Sequence, residues 1–427
     1  MNFPSPAQAT YWFISGHDLF LIMPTLGCAL FAFIVYRRML PLIRAQRDFR
    51  FDRPSVRIGR VLQYWLGQWK HPRYRFAGTI HILVFACFLL LATRAFTLLI
   101  IGVSPDFVPP GLSGKAGHAY DIVREYAATV VFLCMIVAAV RRLVFKPSRY
   151  AIPEQYGKRY AADAIFLLGL IALLMFADTL FEASQAAAQT QLHQPVEFLA
   201  AFSLPWVLKI ALLSTSVPTL HGLYLGGYVL HEITFFFLLC YRPFGIQFHV
   251  ETSLFSVYFA KLDKGTVKPV RWGVSDAQLR EVKSVGIKKY EDFTWKHILD
   301  FYSCADCGRC SDQCPSNAAG RPLAPRMFTF KAREYSYKHY PVFGRMNHEV
   351  PLVGGVFSED EIWSCTTCGV CEEECPLLIE YIDKIVDLRR GLMDDGNVPQ
   401  SLQKPLKALE SRGNPYGKME KKRADWA

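Results

Sequence analysis

The sequence predicts an all-α protein in two parts: a bundle of five membrane-spanning helices over residues 1–258, then a smaller helical domain that carries most of the cysteines. Three observations predict it. Five apolar runs, all before residue 259, are long enough to cross a hydrocarbon layer of about 30 Å. The remainder is charge-rich and has no such run. Eight of the twelve cysteines fall in two short stretches, 304–314 and 365–375. With 52% hydrophobic residues and a mean hydropathy of +0.16, the 427-residue chain is neither disordered nor one globular domain.

The runs lie at about 12–36, 76–102, 119–143, 160–183 and 218–241. Charge alternates between them. Eleven Lys or Arg occur from Arg37 to Arg75, only Lys115 in 103–118, six from Arg141 to Arg159, and none in 184–208. By the positive-inside rule the N-terminus is outside and the cysteine-bearing half in the cytoplasm. The net charge of +11 is therefore read as topology, with the lipid bilayer as partner and no nucleic acid. The N-terminus has no basic region or small-residue cleavage site and is expected not to be a cleaved signal. Residues 198–216 are apolar too and could form a sixth span, which would put the cysteine runs outside; an interfacial or re-entrant segment on the outer face is expected instead. Residues 56–69 mix basic and apolar side chains at helical spacing, as in a helix lying along the cytoplasmic surface.

Histidines bring chemistry into the membrane half, because hydrocarbon tolerates few polar side chains without a partner. His71 stands at the entrance of the second run. His81 follows ten residues later, about 15 Å up a helix. The fifth run carries His221 and His231, with His249 beyond a Pro243-Phe244-Gly245 break. Paired helices bearing two histidines each can clamp two stacked b haems, since imidazole is a good axial ligand to iron. Two pairings fit: His71–His231 with His81–His221, or His81–His231 with His71–His249. His221 is also a candidate quinone-pocket residue. His17, His118 and His193 fall at or outside the outer interface and are expected to be solvated. Arg94 could meet a haem propionate but is expected to snorkel to the surface. Asp178, Glu182 and Glu232 are candidates for handling protons near a quinone headgroup.

The cysteine stretches read CADCGRCSDQCP and CTTCGVCEEECP. Both are C-x2-C-x2-C-x3-C-P, the run that holds a cubane [4Fe–4S] cluster, in which the fourth cysteine of a two-cluster protein serves the other cluster. Cys304, Cys307, Cys310 and Cys375 are therefore assigned to one cluster, and Cys365, Cys368, Cys371 and Cys314 to the second. Two complete runs of this form argue against zinc. The segments PLAPRMFTFKAREYSYKHY and LLIEYIDKIVDLRRGLM read as helices, which makes this an α-helical ferredoxin domain, 286–395, after a linker at 259–285. Glu372-Glu373-Glu374 is expected to be a solvated face.

Two resemblances add to this reading. His231, eleven residues, Pro243-Phe244, four residues, His249 resembles the fifth helix of respiratory nitrate reductase gamma subunits, and the His71–His81 gap resembles their second helix. That resemblance implies a dihaem cytochrome b type bundle with His71, His81, His231 and His249 as haem b axial ligands. The whole chain is similar to a fusion of heterodisulfide reductase E-like and C-like subunits, through HVETSLFSVYFAKL, FTWKHILDFYSCADCGRC and SNAAGRPLAPRMF. Such membrane-bound iron–sulfur oxidoreductases resemble electron-transfer flavoprotein:quinone oxidoreductases. Where relatives commonly show His-x-His, this chain has Gln247-Phe248-His249. NPYGKMEKKRADWA looks like the linker that leads, in longer relatives, to a CCG domain. Residues 396–427 are therefore expected to be a tail or a linker to a missing or separate CCG-type module.

The expected function is that of a membrane oxidoreductase subunit of respiratory-chain type in the bacterial cytoplasmic (inner) membrane. It would pass electrons between the quinone pool and a cytoplasmic electron-transfer flavoprotein or CCG-domain subunit, through two [4Fe–4S] clusters and two b haems. Alternatives are a haem-free anchor and iron–sulfur docking subunit, a quinol-oxidising subunit feeding a cytoplasmic reductase, and a redox sensor. No nucleophile–base pair, Walker loop or GxGxxG fingerprint is present, which disfavours hydrolase, ATPase and NAD-binding roles.

Overall fold

The computed structural model describes residues 4–151, 154–196, 198–263, 265, 267, 284, 286–346 and 351–422. The membrane half contains α1 (Gly16–Arg44), α2 (Pro54–Arg60), α3 (Arg75–Ile101), α4 (Gly114–Val140), α5 (Glu154–Gln191), α6 (Leu204–Leu212), α7 (Val217–Tyr241) and α8 (His249–Tyr258). The cysteine-bearing half contains α9 (Trp295–Ser303), α10 (Arg309–Asp312), α11 (Pro315–Ala318), α12 (Pro325–His339), α13 (Glu359–Trp363), α14 (Val370–Glu374), α15 (Ile382–Asp394) and α16 (Gln400–Arg412). Among the described residues the only strands are a hairpin of Thr10–Tyr11 and Ile14–Ser15. The protein is mostly helical, with five helices long and apolar enough to cross a membrane: α1, α3, α4 with its extension to Phe145, α5 from Ala162, and α7.

Small residues decide how the spans pack. Without a hydrophobic drive between helices in lipid, close backbone approach supplies the attraction. Gly227 of α7 meets α5 where a Cβ would stand 2.8 Å from Phe181 N and 3.1 Å from Ala177 O. Ala177, Ala183, Ala187 and Ala188 of α5 are fully buried. At the end of the bundle away from the cysteine-bearing half, Phe20, Leu98, Phe181, Tyr224 and Tyr228 form one apolar cluster. There the Tyr228 hydroxyl donates to Leu98 O at 2.6 Å, joining α7 to α3.

The segment 198–216 contributes only nine helical residues, α6. At 1.5 Å per residue these reach roughly 14 Å, too short to cross. It is pinned to α4 by the buried Glu125 carboxylate, which accepts from Ala200 N and Ser203 Oγ, both at 2.9 Å. In the 56–69 stretch, α2 runs into a π-helical turn, Val61–Leu66. Its basic side is tied inward: Arg57 donates to Tyr258 O and Ala260 O at 3.0 Å, and Arg60 to Leu262 O at 2.8 Å. Val56, Ile58, Leu62, Leu66 and Trp69 point outward, an apolar face suited to a lipid interface.

The first helix overruns its expected end by two turns and so reaches the cysteine-bearing half. Arg37 donates to Pro341 O and Gly344 O at 2.9 Å, and the Arg38 guanidinium lies 3.8 Å from the centre of the Tyr337 ring. The chain after α1 then pairs with the entrance to α9, Gln46 N donating to Phe293 O at 2.9 Å and Trp295 N to Gln46 O at 3.1 Å. A buried ionic knot closes the joint. Arg50 forks onto Glu380 at 2.8 and 2.9 Å, Lys261 holds Asp383 at 2.9 Å, and Asp300 receives both Lys296 and Lys384. Such buried charges are tolerated because each is paired and hydrogen-bonded. His297, Glu380 and Asp383 converge like metal ligands, but these cations already hold both carboxylates. Basic residues read as a topology signal thus also dock the two halves. The expected linker at 259–285 lies largely outside the described residues, and the 396–427 stretch contains α16.

Candidate redox centres

Each cysteine run is split between two cavities. Cys304, Cys307, Cys310 and Cys375 line one, with Arg309, Arg326 and Tyr381. Cys314, Cys365, Cys368 and Cys371 line the other, with Pro315, Leu323 and Ile382. The crossing follows from local geometry, because both runs fold alike. Asp306 and Thr367 are left-handed (φ 55° and 54°), followed by Gly308 and Gly369 (φ 79° and 80°), and then by the one-turn helices α10 and α14. The first two cysteines of each run precede the helix, the third lies in it, and the helix carries the fourth away. Such turns aim successive N–H groups inward, which suits an anionic sulfur cage. Thr367 N donates to Cys365 Sγ at 3.3 Å. Cys304, Cys310, Cys314 and Cys375 are buried, whereas Cys368 is exposed. Burial pushes the Cys375 thiol up to about 12, so binding iron must displace protons. Four sulfur donors around each cavity fit an iron–sulfur cluster.

The first cavity abuts the membrane half. Arg309, between Cys307 and Cys310, is buried and donates to Lys70 O at 2.8 Å and His71 O at 3.5 Å. Lys70 Nζ donates to Glu373 O at 2.5 Å, and Arg73 pairs with Glu374 at 2.8 Å. The Glu372–Glu374 run is therefore partly a docking edge rather than a wholly solvated face. Arg326 donates to Arg149 O at 2.9 Å and Ala151 O at 2.8 Å, from the loop after α4. The sequence reading missed Arg309, Lys70 and Tyr381. A cation set between two ligand cysteines was the available signal for the first.

The histidines come out differently from the expected ladder. His71 and His81 stack, ring centroids 4.2 Å apart and 17° from parallel, in place of a separation of about 15 Å along one helix. The physical reason is a 3-10 turn at His71–Arg73 that folds the chain back before α3 begins. Gly78 lets the turn close, since a Cβ there would stand 1.9 Å from His71 O. Gly78→Ala should accordingly displace the His71 backbone and cost about 1–3 kcal/mol, read as a lowered Tm of the detergent-solubilised chain; an unchanged Tm would contradict this packing.

Donor chemistry suits haem ligation, though rings stacked at 4.2 Å stand too close for His71 and His81 to serve two separate haems, as either pairing requires. His249 Nδ1–H donates to Ile246 O at 2.7 Å, and His231 Nδ1 meets Glu232 Oε1 at 3.0 Å, which leaves Nε2 of each ring as the ligating atom. His71 Nδ1 is buried without a hydrogen-bond partner. Burial, with Arg309 adding, holds that imidazole at about 4, hence neutral. His81 is exposed on a membrane-type helix, a position that calls for a covering group. His17, His118 and His193 are exposed and His221 is half-buried.

Arg94 does not snorkel. It bridges Asp178 at 2.8 Å and Glu182 at 2.7 Å, one turn apart on α5, while Arg124 holds Glu182 at 2.5 Å and Asp121 at 2.8 Å. Two carboxylates at i and i+4 give its fork a nearer partner than the interface.

Residues 303–379 match the family model described as "4Fe-4S dicluster domain". The chain is 25% identical to the "Probable iron-sulfur-binding oxidoreductase FadF" of Bacillus subtilis, over 97% of this chain and 61% of that one. It is 25% identical to the "EtfAB:quinone oxidoreductase" of Syntrophomonas wolfei, over 96% and 59%. It is also 30% identical to one polypeptide of the dihydromethanophenazine:CoB--CoM heterodisulfide reductase of Methanosarcina mazei, over 32% and 35%. The chain thus spans about 60% of the length of the first two relatives. No solved structure matches. The chain is thus similar to iron–sulfur oxidoreductases, a heterodisulfide reductase polypeptide among them, and its cysteine-bearing half contains a match to a 4Fe–4S dicluster domain.

Proposed function

We propose that this chain is a membrane electron-transfer subunit linking a cytoplasmic redox partner to the quinone pool. The partner is an electron-transfer flavoprotein or a CCG-type reductase subunit, and the membrane is the bacterial cytoplasmic membrane with the cysteine-bearing half inside. Cys304, Cys307, Cys310 and Cys375 hold one [4Fe–4S] cluster, and Cys314, Cys365, Cys368 and Cys371 the other. His71, His81, His231 and His249 hold two b haems. Bound clusters and haems supply one-electron chemistry, while the protein fixes distance, ligation and potential. One observation carries this reading: Arg309 hydrogen-bonds the backbone at Lys70 and His71, so the first cysteine cavity and the histidine end of α3 share one rigid contact. That contact is what a relay between the two halves requires.

Total iron and pyridine-haemochrome content of the purified chain test the reading. We expect about eight cluster irons and two b haems per chain, with His231→Ala losing one haem. Cluster iron without haem would leave the second reading, a haem-free anchor and docking subunit. The stacked His71–His81 pair favours that reading, because imidazoles 4.2 Å apart stand too close to serve two separate haems, as either expected pairing requires.

A further inference from the structure

The two cysteine cages sit in unlike surroundings. Against the first, Tyr381 is buried and its hydroxyl lies 3.5 Å from Cys310 Sγ. A cysteine bound to a cluster is a thiolate and can only accept, so the hydroxyl donates to it, while Thr329 Oγ1 holds the hydroxyl from the other side at 3.2 Å. Three buried guanidinium groups crowd the same cage. Arg309 lines it, Arg333 donates to Cys304 O at 2.9 Å, and Arg326 lines it but is neutralised by Asp306 at 2.5 Å. Three guanidinium groups thus face one carboxylate, Asp306, which also acts on Arg333, and the cage keeps an excess of two positive charges. The second cage has no side-chain donor to sulfur among the described residues; its contact is the backbone N–H of Thr367. Its nearest charges offset each other. Arg389 donates to Cys365 O at 2.6 Å, and Glu372, adjacent to Cys371, accepts from Tyr381 N at 2.7 Å and Ile382 N at 2.9 Å.

Hydrogen bonds to cluster sulfurs, positive charge and burial are the protein's means of setting an iron–sulfur potential. Reduction adds one negative charge, so an O–H donor and excess guanidinium charge stabilise the reduced form, and in a low-dielectric site they act strongly. We propose that this chain builds a fixed potential step between its cages: Tyr381, Arg309 and Arg333 hold the cage of Cys304, Cys307, Cys310 and Cys375 at the higher potential, and the cage that exposes Cys368 lies lower. The inference rests on the cluster assignment above and adds a direction to it. The exposed cage is the port for the soluble partner. The higher cage is the one that Arg309 ties to His71. One electron leaves the port cage as one arrives at the inner cage, with no proton or ligand exchanged between them. Electrons entering from the cytoplasmic partner therefore run downhill toward the membrane, so the fold favours quinone reduction.

The test is an EPR-monitored redox titration of the full chain in detergent, with Cys368→Ser marking the signal of the port cage. Two midpoints are expected, with the marked signal at the lower one. Tyr381→Phe removes only the hydroxyl and should shift the higher midpoint downward, leaving the lower one in place. Thr329→Val, which touches no sulfur, should shift it the same way by less. The proposal is overturned if the marked signal has the higher midpoint, or if Tyr381→Phe leaves the higher midpoint where it was. Should Tyr381→Phe lose iron, the Thr329→Val result decides by the same criterion. Failure of the cluster assignment is seen separately and earlier, as a wild-type chain without the iron of two cubane clusters.

Discussion

Cys375→Ala should abolish the same cluster as Cys304→Ala, although the two residues belong to different runs. Each single variant should lose about four irons per chain. The double variant Cys304→Ala/Cys375→Ala should lose no more than either single, whereas Cys365→Ala/Cys375→Ala should lose the iron of both clusters. The pattern follows from the crossing of the fourth cysteines between the two cavities. Iron assay and EPR of the reduced chain read it directly. If Cys304→Ala and Cys375→Ala were additive, the crossed assignment would be wrong. The loss should extend beyond the metal, because Cys304, Cys310 and Cys375 belong to the apolar core of this half, beside Phe301, Phe328 and Tyr381. Metal binding here is also folding free energy, so chelation should lower the Tm of this half together with its iron content.

Arg94→Leu should destabilise the membrane half by about 3–5 kcal/mol, the cost of breaking a buried ion pair by removing one partner. Asp178 and Glu182 are both nearly inaccessible, and Arg94 is bound to each. Without it Asp178 loses its guanidinium partner, while Glu182 keeps Arg124. Arg94→Lys should recover only part of the loss, since an ammonium is a point charge and cannot fork across two carboxylates. Replacing Arg94 and Asp178 together by leucine should recover more than Arg94→Leu alone. Thermal melting in detergent measures all three. A Tm for Arg94→Leu within a degree or two of the parent would mean that the guanidinium is solvated, as a snorkelling residue would be.

Much of this arrangement was legible in the sequence because it is written in short-range patterns. An apolar run of sufficient length must be a helix in lipid, where every backbone polar group needs an internal partner. That reasoning gives five spans, and the nine-residue α6 shows why 198–216 does not add a sixth. The cysteine spacing works in the same way, since three thiolates on one tight turn can meet only around a compact metal site. Other features were not legible. Arg94 reads as a snorkelling residue because its partners lie more than eighty positions away on α5. His71 and His81 read as rungs of a ladder because nothing local reveals that the chain folds back through Pro72 and closes on Gly78.

Local patterns alone therefore yield the inventory: five apolar helices, two four-cysteine runs, and histidines within and beside the second and fifth apolar runs. Local spacing and hydropathy suffice for that, because each depends on neighbours within a turn or a run. Long-range packing settles which cation meets which anion, which tyrosine reaches a sulfur, and that Arg309 ties the cysteine-bearing half to the backbone of His71. Those contacts join residues seventy to more than two hundred positions apart. They form because a buried hydroxyl or guanidinium must find a partner wherever packing brings one within reach, and sequence distance does not constrain which partner that is.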